Sequence, residues 1–156
     1  MVQYLLLAKK FHLHYVAVVS QLQHPLLLLI RLYWGYDFFQ TGLGKLNNLE
    51  RTTEFFASLN IPLPQMNAIV AGATELTCGL MLIAGLWSRY AVVPLIVILS
   101  IAFATDDYEA LSNIVSDVES FVAATPFQHL LASLIILVFG AGELSVDGII
   151  RWFRKK

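Results

Sequence analysis

Four charged side chains interrupt the first two long apolar runs of this sequence, and any chemistry would have to start from them. Arg31, Asp37 and Lys45 lie in "PLLLLIRLYWGYDFFQTGLGKL" (Pro25 to Leu46), and Glu75 lies in "PQMNAIVAGATELTCGLMLIAGLW" (Pro64 to Trp87). An ionised group at the centre of a bilayer costs about 2.5–3.5 kcal/mol on insertion scales, so a charge kept in such a run is a site candidate by default. Helical geometry, at about 100° per residue, sorts the four. Arg31, Gly35, Phe38, Gly42 and Lys45 fall on one face of the first run, and Ala68, Gly72, Glu75, Gly79 and Leu82 make a comparable line on the second. Asp37 points about 120° away from Arg31, so it is no local partner for that cation.

Counted from the ends nearest the basic flanks, Arg31 and Glu75 differ in depth by about 7 Å, within reach of an arginine side chain. Two antiparallel runs joined by one loop should pack together, so an Arg31–Glu75 pair is expected. Lys45 is expected to act as a snorkelling anchor at the far surface. Two readings of the shared face stay open. In one, the charge pair fixes which helices meet, and Gly35, Gly42, Gly72 and Gly79 let their backbones approach. In the other, the face is an intramembrane polar site. Arg31 and Lys45 would then supply hydrogen-bond donors, and Tyr33, Trp34 and Tyr36 aromatic walls, to a bound ligand.

Other candidates are weaker. His12 and His14 form a His-x-His pair with no third ligand nearby in sequence, which favours an interfacial pair over a metal site. His129, near the start of the last apolar run, could join Asp106, Asp107 or Glu109 to hold a metal ion or move a proton, against the plain reading of a hydrated acidic loop. Arg89 is expected to pair with Glu143 or Asp147 and tie two turns together, a contact of about 0–1 kcal/mol when exposed. Cys78, one turn from Glu75, is a protonated, inert thiol in apolar surroundings. There is no Gly-rich phosphate loop, Ser-His-Asp set or Cys-x-x-Cys pair, which argues against soluble-enzyme chemistry.

The elements that must position these residues follow from composition. Of 156 residues, 58% are hydrophobic and 13% charged, where soluble domains carry about 25% charged residues. The mean hydropathy is +0.69. This is the composition of an all-α, polytopic membrane protein, read as one domain over 1–156. A net charge of −1 gives no sign of nucleic-acid binding, and one cysteine permits no intrachain disulfide. No cleaved signal peptide is expected, because the lysines of the first twenty residues follow their apolar run instead of preceding it.

A helical crossing takes about 20 apolar residues, and four stretches qualify, at about 25–46, 64–87, 90–105 and 126–144. Pro25, Pro64 and Pro126 sit at their starts, where a missing N–H is harmless. Lys9, Lys10, Arg89, Arg151, Arg154, Lys155 and Lys156 fall on the side of the termini, against Lys45 and Arg51 on the other. The positive-inside rule then makes both termini cytoplasmic in a multi-pass protein of the cell inner (plasma) membrane. Residues 1–24 read as an inner interfacial segment, with Tyr15, Val18, Val19 and Leu22 on one face. Residues 106–125 read as an outer amphipathic segment, with Leu111, Ile114, Val115, Val118 and Phe121 at helical spacing.

Several of these motifs, in order, resemble the DoxX family of small four-helix membrane proteins. They are "IRLYWGYDFFQTGLGK" (Ile30–Lys45), "FFASLNIPLP" (Phe55–Pro64), "ELTCGLMLIAGLWSRYA" (Glu75–Ala91) and "GAGELSVD" (Gly140–Asp147). Asn60 stands where the family usually has glycine, and Glu143 where it usually has arginine. The resemblance implies a four-transmembrane-helix bundle with short interfacial helices. It also implies a membrane-anchoring or quinone-interacting subunit of a redox- or stress-related complex, with a protein partner or a second copy of the chain. A non-catalytic scaffold or chaperone-like partner and a small-solute or metal-ion transporter are the alternatives.

Overall fold

A computed structural model describes residues 2–154, with side chains from Lys9 to Arg154; Lys155 and Lys156, used above in counting charge, lie outside the described residues. Among the described residues the chain is helical and contains no strand. In order the helices are α1 (Val2–Gln21), α2 (Gln23–Asn47), α3 (Leu49–Ser58), α4 (Pro64–Ala84), α5 (Ser88–Thr105), α6 (Tyr108–Ser112), α7 (Val118–Ala123), α8 (Thr125–Phe139) and α9 (Val146–Arg154). α2 packs chiefly on α4, α4 also on α5, and α5 on α8, while α8 touches α2 only lightly. The core these helices enclose contains Phe38, Cys78, Leu82, Ala91, Val92, Leu95, Leu99 and Ile136.

Three helical stretches are long and apolar enough to cross a membrane: Lys9–Asn47, Pro64–Ala84 and Ser88–Thr105. The first joins α1 to α2 through Leu22, which keeps right-handed helical dihedrals. Its 39 residues reach about 58 Å, nearly twice the hydrocarbon thickness of a bilayer. α2 alone therefore suffices for a crossing, and α1 lies beyond the helices that pack together. Its Phe11, Tyr15, Val18 and Val19 are exposed, as is Leu22 at the junction.

The expected fourth run is shorter than predicted. α8 has 15 residues and stops at Phe139, because Gly140 turns the chain with φ 78°, and Gly142 repeats the turn at φ 77°. Residues 140–145 continue as irregular chain before α9 begins. The outer amphipathic segment also differs from a single helix, since α6 and α7 are separated by turns at 113–117. Asp117 competes with helix continuation by capping α7: its side chain accepts from Ser120 N–H at 3.1 Å and from Ser120 Oγ at 2.6 Å. Those bonds hold the Asp117 carboxyl below its ordinary range. Burial and the neighbouring Asp106 push the Asp107 carboxyl above its own.

The register between α2 and α4 is set by glycine. A Cβ on Gly79 would stand 2.6 Å from Phe39 N and 2.7 Å from Gly35 O, and one on Gly42 would stand 2.6 Å from Gly72 O. No side chain fits there. Gly35 therefore lies against Gly79, and Gly42 against Gly72, with backbone on backbone. In lipid, helices associate through close packing of this kind, since the tails are as apolar as leucine.

Candidate functional site

The polar residues of the apolar runs gather at three separate stations. At the end that carries α9, Arg31 is 1% exposed. Its guanidinium donates to Leu82 O at 3.2 Å and Leu144 O at 2.6 Å. Leu82 is in the last turn of α4, so the cation sits at the negative end of that helix. Leu144 belongs to the irregular stretch after α8, where carbonyls freed from a helix need partners. Arg89 and Arg151 serve the same end of the bundle, donating to Val138 O in the last turn of α8 and to Gly142 O beyond it, each at 2.9 Å. Three arginines thus satisfy the broken end of α8. Gly85, with φ 69°, closes α4, and Arg31 NH1 fills the place its Cβ would take.

This arrangement corrects two expectations. Arg31 does not pair with Glu75: the glycine register puts Arg31 opposite the last turn of α4, more than a helical turn past Glu75. Arg89 pairs with neither Glu143 nor Asp147. The two turns are tied together, but through backbone. Asp147 accepts from Trp87 N–H at 3.0 Å and Ser88 N–H at 3.4 Å, capping α5, and Asp147 N–H donates to Gly85 O at 3.1 Å. The cap holds Trp87 at φ 48°, a left-handed conformation that costs a residue with a side chain about 1–2 kcal/mol. Glu143 instead faces His24, with Nε2 and Oε2 3.6 Å apart.

The second station is the partner Glu75 does have. Lys45 donates to both carboxylate oxygens at 2.5 Å, and the Glu75 side chain is only 6% exposed. Lys45, expected as a surface anchor, reaches back along the glycine seam. By the same register, the cation that meets Glu75 is the one beyond Gly42, not the one before Gly35.

The third station was not foreseen. His129 Nε2 lies 2.5 Å from Asp37 Oδ2, and Nδ1 lies 2.9 Å from Thr125 O. The ring thus bridges the Asp37 carboxyl on α2 and the backbone of α8. The imidazole is wedged between aromatic rings, 4.6 Å from the Trp34 centroid and 5.2 Å from that of Phe38. Asp37 was set aside in the sequence for pointing away from Arg31. That same direction aims it at α8, and the signal available was a carboxylate and a histidine kept in two largely apolar runs. His129 does not meet Asp106 or Asp107, and no group of three metal-ligating side chains occurs among the described residues.

Beside this pair, between α2 and α8, runs an apolar groove of about 200 Å³ lined by Ile30, Trp34, Gln128, Leu131, Ala132 and Ile135. The other expected wall residues stand elsewhere. Tyr33 is 68% exposed on the outer surface, edge-on to Trp34 at 5.0 Å. Tyr36, also exposed, accepts from Gln40 at 2.9 Å. Arg31, Lys45 and the tyrosines therefore do not converge on one ligand, and the face they were assigned to is filled by α4. His12 and His14 are exposed on α1, and Cys78 is buried in the core.

Comparison with known proteins places these features in a family. Residues 26–106, which include α2 from Leu26 onward and all of α3, α4 and α5, match the DoxX family model. A protein of uncharacterised function from Haemophilus influenzae is 27% identical over 129 residues, covering 80% of this chain and 83% of that protein. A Bacillus subtilis protein named "Putative oxidoreductase CatD" is 40% identical over 62 residues, 40% of this chain and 45% of its own length. No solved structure matches. With the family model covering more than half of its length, and apolar helices that contact the lipid bilayer, the chain belongs to the DoxX family of membrane proteins.

Proposed function

We propose that the protein is a multi-pass inner-membrane subunit, one domain with four crossings and cytoplasmic termini, that holds a quinone-class lipid for a redox partner. The observation that carries this reading is the groove between α2 and α8. It opens to lipid, it is walled by the Trp34 ring, and its 200 Å³ falls below the 300–1,000 Å³ or so of pockets that enclose whole drug-sized ligands. It suits one planar ring whose tail stays in the bilayer. The name of the Bacillus subtilis relative supports a redox setting. The electrons come from the partner, and this chain contributes the ring's binding site.

In the fourth crossing, α8 supplies 15 helical residues, about 22 Å. The Gly140–Ser145 stretch completes the passage under the three arginines. A scaffold role is the second reading. It is favoured by the apolar Ile149, Trp152 and Phe153 that α9 leaves exposed for a partner at the membrane surface.

A short-tailed benzoquinone added to the protein in nanodiscs tests the choice. At about 100 times its Kd a ligand adds about 2.7 kcal/mol of stability by mass action, so the melting temperature should rise by several degrees. Leu131→Trp, which fills the groove from an exposed position, should fold and lose the rise. A wild-type melting temperature unmoved at saturation would leave the scaffold reading in its place.

A further inference from the structure

The geometry points to a phospholipid site at the α9 end of the molecule. It takes a headgroup that carries a primary ammonium beside its phosphate, as phosphatidylethanolamine does, with the phosphate on Arg151 and the ammonium on Glu143. The site is separate from the groove between α2 and α8 and does not rest on the quinone reading.

A cleft of about 640 Å³ opens there, within the 300–1,000 Å³ or so of sites that enclose a small molecule. Its walls include Gln23 and His24 at the start of α2, Phe139 at the end of α8, Glu143 beyond it, and Arg151 and Trp152 on α9. The apolar length of α2 begins at this level and that of α8 ends at it, so the cleft lies where headgroups lie. A tryptophan in its wall is the side chain most at home at that depth.

The charges of the cleft are laid out around one peptide unit. Arg151 donates to Gly142 O at 2.9 Å, and the N–H of the same peptide, that of Glu143, donates to His24 Nδ1 at 3.4 Å. A guanidinium has five N–H donors, and among the described residues Gly142 O is the acceptor that Arg151 meets. The Glu143 carboxylate has acceptors to spare. His24 Nε2 stands 3.6 Å from its Oε2, too far for a hydrogen bond, and the side chain is 77% exposed. Arg151 and Glu143 form no ion pair with each other among the described residues. A cation and a carboxylate thus share one cleft without neutralising each other.

That layout selects among the headgroups of a bilayer. Every phospholipid brings a phosphate, which a guanidinium binds through paired donors. An anionic headgroup such as phosphatidylglycerol offers nothing to Glu143 and is repelled by it. The trimethylammonium of phosphatidylcholine carries the right charge but no N–H for the carboxylate to accept. The ammonium of ethanolamine has three, a short link away from the phosphate. The acyl chains leave over Phe139, which is exposed at the end of α8.

Native mass spectrometry of the full chain tests this, with dioleoyl phosphatidylethanolamine, phosphatidylglycerol and phosphatidylcholine competing at equal concentration in micelles. Wild type should retain the ethanolamine lipid about fivefold over either competitor, the factor that a good exposed ion pair reaches. Glu143→Lys, a change at an exposed side chain, should invert the order and favour phosphatidylglycerol. Arg151→Gln should weaken all three, and the inversion at Glu143 decides the matter even if that variant fails to fold. Glycerophosphoethanolamine, the same headgroup without chains, should not displace the lipid at equal concentration. Equal retention of the three lipids, a wild-type preference for phosphatidylglycerol, or an unchanged order in Glu143→Lys would overturn the inference. Displacement by the chainless headgroup at parity would overturn the membrane as its source.

Discussion

Toward α4, the helix α2 presents Gly35 and Gly42, and the backbone of α4 presses directly onto them. Toward α8 it presents Ile30, Trp34 and Asp37, and between these and α8 lies a groove. The first side has no room for a ligand, because a single added methyl group would already meet backbone at 2.6 Å. The second side is held by one histidine–carboxylate contact and loose apolar surface. Sidedness of this kind separates two demands on one helix. Packing needs a rigid seam, since lipid supplies no hydrophobic force to drive helices together. Exchange of a lipid-borne ligand needs a seam that stays open. Glycine at a seven-residue interval on one helix would serve either demand, and what lies opposite decides between them.

The sharpest way to break this comparison is to add bulk on each side in turn. Gly79→Leu should cost at least about 3 kcal/mol, the upper end for overpacking, because its neighbours are the backbone of Phe39 and Gly35 and cannot step aside. Leu131→Trp, across the groove, should change stability by less than about 0.5 kcal/mol, as exposed substitutions do. Denaturant titration in mixed micelles measures both. Equal losses would mean that the α8 side is packed as tightly as the α4 side.

A smaller effect sharpens the account of the closed side. Glu75→Ala should cost about 2–3 kcal/mol, less than the 3–5 typical of a broken buried pair, because the Lys45 side chain is 28% exposed and can reach toward the surface. A double-mutant cycle of Lys45 with Glu75 should show coupling above about 1 kcal/mol. The cycle of Arg31 with Glu75 should be additive within about 0.5 kcal/mol. Coupling in the second cycle and none in the first would restore the pairing expected from depth alone.

Much of the helical framework could be read from hydropathy, and the reasons for the failures are local. α2, α4 and α5 were placed within three residues at each end, because long apolar periodicity and Pro64 mark them plainly. α8 was drawn too long, since Gly140-Ala141-Gly142 is apolar on any scale while its positive φ angles end the helix. The helix α3 was read as a loop, being too polar to span and too short to stand out. Among the sites, the glycines and the ionisable residues were all visible as types. Their partners were not, because partnership depends on register, and a shift of one turn exchanges Arg31 for Lys45 at Glu75. Asp37 and His129 are 92 residues apart, and no periodicity within one helix points from one to the other.

The central claim is that α2 has one closed side and one open side, and photolabelling tests it most directly. A short-tailed azidobenzoquinone, photolysed in nanodiscs containing the full chain, should attach to α2 at Ile30 or Trp34 and to α8 between Gln128 and Ile135. An excess of unlabelled quinone should compete it away, and Leu131→Trp should abolish it. Competed labelling of α4 at Gly72, Leu76 or Gly79, with α8 left unmarked, would contradict the account.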